Sequence, residues 1–207
     1  MGEKFVNYQI RSSSMENVIN IVKNLTRTKA YVSPPKNGWI TVYDQMSDYE
    51  FKYTEISNFS QNLSASLLTV AFAFIVFSGL HFIYLVYDTG KLVDEFYDDP
   101  EASEFGFDYV NDAVIERFKG DPDKLLKYCL PSTTLQSISH ILISNKNRDI
   151  EFLGQEAAYE LALLLGIDEY RAINGYSYFE DHNLYNEIDP NIENAKDFLL
   201  VKNSFNN

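Results

Sequence analysis

The sequence predicts an α+β fold, in which a mainly antiparallel sheet of about six strands packs against helices. Three observations carry this prediction. Strand and helix patterns alternate over the first half, two adjacent apolar strands follow them, and apolar residues recur at helical spacing in the second half. With 207 residues and 45% apolar side chains, the chain is large enough and apolar enough to bury such a core.

The elements of the first half follow the order strand, helix, hairpin, helix, strand, which is the order of a ferredoxin-like βαββαβ unit. Capping-box patterns at Ser13–Glu16 and Ser47–Glu50 predict where its two helices begin. The predicted elements are a strand at 4–11, a helix at about 15–26, strands at Lys29–Ser33 and Trp39–Asp44 joined by a Pro34–Gly38 turn, and a helix that continues to Leu67.

Leu67–Tyr87 is a run of 21 residues without Asp, Glu, Lys or Arg, long enough to span a bilayer as a helix. However, Ser78-Gly79 interrupts its middle, it is rich in Val, Ile, Phe and Tyr, and it lacks basic flanks. We therefore predict a buried hairpin of strands at about 69–77 and 81–87, with a third strand at Leu92–Tyr97 completing a meander. The alternative is a membrane-spanning helix.

The chain divides by composition into a sheet unit at 1–99 and an acidic, helical portion at 100–207, which we expect to pack together as one globule. Helix signals in the second portion are a cap at Asp121 before Pro122, a start at about Ser132–Thr134, a long helix over about 149–165 that stops at Gly166, and a short helix at Asp168–Asn174.

The net charge of −13 is unevenly distributed along the chain. Residues 1–93 hold 8 basic and 7 acidic side chains, a net charge of +1, whereas residues 94–207 hold 9 basic and 23 acidic ones, a net charge of −14. Phosphate binding needs clustered Lys and Arg, so we expect neither a nucleic acid nor a membrane as partner. A single cysteine, no secretion signal and no cofactor motif predict a cytoplasmic protein without a cofactor.

Three small groups of reactive side chains suit structural roles better than catalytic ones. Cys129 precedes His140 by eleven residues, about 16 Å along a helix, so a thiol–imidazole pair would require the chain to fold back. The consecutive residues Glu180–His182 point in different directions on any regular backbone. Asp121-Pro122-Asp123 is accounted for as a helix start, although two carboxylates there could also bind a cation.

The stretch Asp94–Glu116 holds nine carboxylates and no Lys or Arg, and residues 149–195 hold eleven acidic residues against the single Arg171. Aromatic side chains interleave with these carboxylates, which is typical of a face that binds a basic protein. The alternative is a solvated surface without a partner. The predicted partner-binding residues are Asp94, Glu95, Asp98, Asp99, Glu101, Glu104, Phe105, Asp108 and Tyr109.

Three further segments form a recognisable set: Gly38–Asp44, the apolar strand pair leading to Tyr87–Phe96, and Leu163–Ile167 followed by Asn174–Tyr176. Together they resemble a group of uncharacterised bacterial cytosolic proteins. The resemblance implies an α+β fold and a bacterial cytosolic setting, and it implies no catalytic residue. Members often have acidic residues in the turn between the apolar strands, where this chain has Ser78-Gly79. In its small size and acidity the chain is also similar to immunity proteins.

We therefore expect a non-catalytic protein that recognises a basic protein surface, most concretely an immunity-type inhibitor or a component of a bacterial conflict system. The alternative is an enzyme that uses carboxylates, with a divalent cation at the acidic segment. A buried carboxylate of raised pKa in a pocket would favour the enzyme, and an exposed acidic face with aromatic side chains would favour the binding protein.

Overall fold

The computed structural model describes residues 4–101, 110–143, 154–181, 191–192 and 195–204. Its strands are β1 (Phe5–Arg11), β2 (Lys29–Val32), β3 (Trp39–Asp44), β4 (Val70–Phe77), β5 (His81–Asp88), β6 (Lys91–Tyr97) and β7 (Leu199–Lys202). Its helices are α1 (Met15–Leu25), α2 (Gln45–Glu50), α3 (Tyr53–Leu67), α4 (Asp112–Arg117), α5 (Pro122–Leu126), α6 (Leu135–Ile141), α7 (Gly154–Leu165), α8 (Glu169–Ala172) and α9 (Tyr176–Asp181), with a 3₁₀ turn at Ala195–Asp197.

The strands form one sheet in the order β6-β5-β4-β1-β3-β2-β7, and every neighbouring pair is antiparallel. The inner order β4-β1-β3-β2 is that of a ferredoxin-like unit, and β5 and β6 extend it as a meander. The α+β prediction is confirmed, with seven strands where about six were expected. The additional strand is β7, which comes from the end of the chain and pairs with β2 from Lys29 opposite Lys202 to Val32 opposite Leu199.

The apolar run Leu67–Tyr87 forms the hairpin of β4 and β5, as predicted, with the turn at Ser78 and Gly79 in left-handed conformations. All eight residues of β4 are buried, because helices cover both faces of the sheet at this strand. A strand buried on both faces is apolar at every position, which explains why the run resembles a membrane span in sequence. None of the described helices is long and apolar enough to cross a membrane.

The sheet separates two hydrophobic clusters. On the first face, α1 and α3 pack their buried residues Val18, Val22, Ile56 and Leu63 against alternate residues of the strands. On the second face, the helices of the chain's second half contribute Leu125, Ile138, Leu161 and Ala172, which belong to one cluster with Phe72 and Phe74 of β4. The acidic portion of the sequence therefore supplies one complete layer of the core.

Two helix starts differ from the predicted capping boxes by a few residues. The side chain of Ser14, rather than that of Ser13, caps α1 by accepting from the Asn17 amide. Asp44, rather than Ser47, caps α2, which is a separate short helix before α3. The predicted cap at Asp121 with Pro122 at the first turn is confirmed for α5, and Gly166 ends α7 at a φ of 72°.

Candidate functional site

The predicted partner-binding stretch does not form a uniformly exposed face. Asp94, Glu95 and Asp98 are buried, Asp99 is half-buried and Glu101 is exposed. The remaining predicted residues Glu104, Phe105, Asp108 and Tyr109 lie outside the described residues. A partner-binding face requires exposed carboxylates, and the expectation that Asp98 is one of them is wrong, because the pairing of β6 buries it.

Asp94 lies on the second face of the sheet, opposite Val86 of β5. The hydroxyl of Tyr84 donates to its Oδ2 at 2.6 Å, and the Asp121 amide donates to the same oxygen at 2.9 Å. Lys124 Nζ lies 3.6 Å from Oδ1. Burial raises the pKa of Asp94, although these donors favour its ionised form. Burial and the nearby charge of Asp94 raise the pKa of Tyr84. This carboxylate ties the start of α5 to the sheet.

Glu95 points to the opposite face, as alternation along a strand requires. The Arg117 guanidinium and the Tyr53 hydroxyl both donate to it, and Arg117 Nη2 also donates to the Tyr53 oxygen at 3.0 Å. Burial, followed by the hydrogen bond to Glu95, raises the pKa of Tyr53 well above its ordinary value. Glu95 therefore joins β6 to α3 and to the end of α4.

Asp98 is 1% exposed. It accepts the Phe82 amide at 3.1 Å, and its own amide donates to the Phe82 carbonyl at 3.2 Å. His81 Nδ1 lies 3.4 Å from the other carboxylate oxygen. Among the described residues, the donors and cations that contact Asp94, Glu95 and Asp98 all lie outside Asp94–Glu116 in the sequence.

An acidic surface, half-buried at Asp99 and otherwise exposed, remains beyond the end of β6. We name it the acidic end and define it by Asp99, Glu101, Asp112 and Glu116. The Tyr97 amide donates to the Phe118 carbonyl at 2.9 Å and Phe96 bridges to Lys119 in antiparallel fashion. Because this pairing is antiparallel, the residues before Phe118 lie beside the residues that follow Tyr97. Helix α4 therefore lies near Asp99 and Glu101.

Two buried carboxylates that sequence reasoning missed lie at α2. Asp44 accepts the Thr26 hydroxyl at 2.6 Å and the Ser47 amide and hydroxyl, both at 2.9 Å. Asp48 accepts the Val6 amide at 2.7 Å and the Ser177 amide at 3.0 Å, which joins α2 to β1 and α9. The Asp44-to-Ser47 spacing was an available cap signal, but the partners of Asp48 are distant in sequence.

Asp48 is expected to titrate far from the ordinary range of a carboxyl group. Burial raises its pKa from 3.8 to about 6, against the hydrogen bonds from Ser177 and Val6 that favour the ionised form. Carbon-detected NMR of the side-chain carboxyl carbons should show a midpoint near 6 for Asp48. Glu50 is an internal control, because the hydrogen bond from Arg27 lowers its pKa below 4.5.

The sign of the stability effect follows from linkage. Between about pH 4 and pH 6 the folded protein binds the Asp48 proton more tightly than the unfolded chain does, so this group lowers the free energy of unfolding as pH rises. The full effect, above pH 6, is about 3 kcal/mol. A midpoint for Asp48 near 3.8 would contradict the burial of its carboxylate in the structure.

The other reactive groups show no catalytic arrangement within the described residues. The Cys129 thiol donates to the Leu125 carbonyl at 3.4 Å, and burial raises its pKa to about 11, which disfavours the nucleophilic thiolate. In the described part of the chain, no three His, Cys, Asp or Glu side chains are grouped as metal ligands. Glu180 accepts a hydrogen bond from Tyr49, and His182 lies outside the described ranges.

Comparisons with protein-family models, with curated proteins and with solved structures give no match to this chain. The resemblance to a group of bacterial cytosolic proteins therefore stays a prediction, and function is argued from the geometry of the site alone.

Proposed function

We propose that the chain is a non-catalytic binding protein whose acidic end recognises a basic protein surface, in the manner of an immunity-type inhibitor or a component of a bacterial conflict system in the cytoplasm. One observation carries the proposal. The described residues 94–101 and 110–127 hold nine acidic and four basic side chains, a net charge of −5 that their internal ion pairs do not remove. Four of the nine acidic residues form the acidic end, where Lys119 pairs with Glu116.

Helix α4 adds apolar contact area to this charge. None of its six residues is fully buried, and Ile115 is 44% exposed beside the acidic residues Asp112 and Glu116. An exposed apolar side chain beside two carboxylates suits a partner that presents Lys and Arg next to an apolar patch. The buried carboxylate of Glu95 in β6 contributes by holding α4 in place, because Arg117 at the end of α4 donates to it.

Association with such a partner is expected to depend on charge steering. Changing Asp99, Glu101 and Glu116 to Lys together should slow association at least tenfold at low salt and change dissociation much less, because steering acts on the encounter. Surface plasmon resonance with a partner captured from the native host measures both rates. The wild-type association rate should fall steeply as salt increases, over a Debye length of about 10 Å at 0.1 M.

A matched control reverses three exposed acidic residues elsewhere on the surface, Glu16, Glu156 and Asp197, to Lys. This variant has the same net charge as the first one. If both variants slow association equally, only the total charge matters and the acidic end is not the binding site. An association rate insensitive to salt and to the first variant would leave the acidic end as solvated surface.

A carboxylate-dependent enzyme is the second candidate, and one observation favours it. Asp44 is a buried carboxylate whose pKa is raised by burial, and it lines a cavity that is open to solvent. Its two oxygens already accept three hydrogen bonds from Thr26 and Ser47, as expected of a helix cap. These hydrogen bonds hold Asp44 as a helix cap rather than as a proton-transfer group, so the non-catalytic binding protein is the preferred candidate.

A further inference from the structure

The sheet ends on one side in the short strand β7. Within the described residues, β7 pairs with β2 alone, so its outer side is a free edge of the sheet. The acidic end follows β6, which lies at the opposite edge. The edge at β7 is therefore a second surface, and the proposed binding function does not use it.

The backbone of β7 presents hydrogen-bonding groups to this free edge. The Asn203 amide donates to the Thr28 carbonyl at 3.0 Å, which makes these two residues a hydrogen-bonded pair. Hydrogen-bonded and non-hydrogen-bonded pairs alternate along antiparallel strands, so Leu200 and Lys202 form non-hydrogen-bonded pairs with β2. Their N–H and C=O groups therefore point away from β2, and in the part of the chain that the structure describes no strand meets them.

Excess positive charge lies at one end of this edge. Lys29 and Lys202 lie directly opposite each other across β2 and β7, with Cα atoms about 4.5 Å apart, as in any non-hydrogen-bonded pair. Like charges in this position repel, and within the described ranges neither ammonium has an ion-pair partner. The exposed Lys23 adds a third charge, because the Ser204 amide donates to its carbonyl at 3.0 Å. The two charges of the 3₁₀ turn at Ala195–Asp197 cancel each other.

Exposed apolar side chains accompany this charge. Leu199 is 50% exposed and Leu200 is 44% exposed. Successive residues of a strand point to opposite faces of the sheet, so each face carries one of these leucines at the edge. A further strand paired with β7 would cover both leucines and remove apolar area from water.

We propose that β7 binds an extended acidic segment of a partner protein as an additional strand of the sheet. Leu200 and Lys202 would pair with its backbone, which is how edge strands bind extended peptides. Residues two positions apart in a strand share one face, so an acidic residue opposite Lys202 comes with an apolar residue opposite Leu200. The carboxylate would relieve the repulsion between Lys29 and Lys202. A second copy of the chain is a poorer occupant, because it carries the same lysine and lysines on edge strands disfavour pairing of like strands.

NMR titration of the isotope-labelled full chain tests the proposal. The probe is the peptide acetyl-Thr-Glu-Thr-Val-Val-Thr-amide, whose glutamate lies opposite Lys202 and whose first valine lies opposite Leu200 in antiparallel pairing. One control peptide has lysine in place of glutamate, and another carries an N-methyl group on the first valine, which removes a backbone donor. We expect the probe to shift the amide signals of Leu200 and Lys202, and both control peptides to bind more weakly.

A charge exchange connects the binding to β7. Lys202→Glu should weaken binding of the glutamate peptide about fivefold and strengthen binding of the lysine peptide, because the attraction and the repulsion change places. The variant should also unfold at a higher urea concentration than the wild type, since it replaces the repulsion with Lys29 by an attraction. Lys91→Glu changes an exposed lysine at the start of β6, at the opposite edge, and should leave peptide binding unchanged.

Four results would overturn the proposal. They are no binding of the glutamate peptide, equal binding of the lysine or N-methylated peptide, signal changes that lie away from β7, and equal effects of Lys202→Glu and Lys91→Glu. The same titration detects the competing occupant. If the amide signals of Leu200 and Lys202 change on dilution of the chain without peptide, a second copy occupies the edge and the proposal is also wrong.

Discussion

Replacing Arg171 with alanine is expected to lower the free energy of unfolding by about 3 to 5 kcal/mol, because the change leaves buried polar groups without their donor and opens a cavity. Arg171 is 1% exposed. Its Nη1 donates to the Pro34 carbonyl at 2.7 Å and to the Ser33 hydroxyl at 3.3 Å. Through these bonds α8 is attached to the end of β2 and the turn that follows it.

The charge of Arg171 is matched within the same layer. Its Nε lies 3.6 Å from Asp168 Oδ2, and Lys36 Nζ lies 2.8 Å from that same oxygen. Tyr43 donates to the Arg171 carbonyl at 2.9 Å, so the backbone as well as the side chain is held against the sheet. Truncation of this buried side chain would leave the Pro34 carbonyl, the Ser33 hydroxyl and the Asp168 carboxylate without the Arg171 guanidinium at the same time.

Urea unfolding followed by circular dichroism measures the effect, with an unchanged m-value showing that the unfolding reaction is the same. Arg171 lies 5.1 Å from the centroid of the Phe198 ring. Arg11→Ala is the matched control, because Arg11 is an exposed arginine that lies 5.0 Å from the centroid of the Trp39 ring. The control should cost less than about 1 kcal/mol. A similar loss for both variants would mean that the buried contacts of Arg171 contribute little.

Much of the fold was predictable because its signals are local. The hairpin of β4 and β5 follows from an apolar run with Ser78-Gly79 at its middle, and α5 follows from Asp121 before Pro122. The helix starts near Ser14 and Asp44 were misplaced because neighbouring Ser and Asp residues offer alternative caps, and only the surrounding packing selects one.

The parts that were not predicted depend on contacts between distant segments. β7 has only four residues, and its partner β2 lies about 170 residues earlier, so its sequence alone does not distinguish it from a loop. In the sequence analysis, Arg171 was counted with the charges of an acidic surface. Its guanidinium in fact donates to the Ser33 hydroxyl and the Pro34 carbonyl, which lie more than 130 residues earlier in the chain. The burial of Asp94 and Glu95 requires Tyr84, Tyr53 and Arg117, which reach them only once the meander has formed.

Within the acidic stretch, reversal of charge at Asp98 is expected to have a very different effect from reversal at Asp99 or Glu101. Asp98→Lys should lower the free energy of unfolding by more than about 4 kcal/mol, because an ammonium would replace the carboxylate that accepts the Phe82 amide in a buried position. Asp99→Lys and Glu101→Lys should each change it by less than about 1 kcal/mol, since both side chains reach solvent.

Denaturant unfolding of the three single variants measures this contrast, and Asp98→Asn serves as the isosteric control. Asn keeps one oxygen for the Phe82 amide, so it should be destabilised much less than Asp98→Lys. If Asp98→Lys were as stable as Asp99→Lys, the carboxylate would not be buried in solution and β6 would not pair as described. The contrast also determines how a binding experiment is interpreted. Loss of partner binding in a variant that includes Asp98→Lys would result from unfolding. The same loss in a variant that combines Asp99→Lys with Glu101→Lys would result from the change at the acidic end.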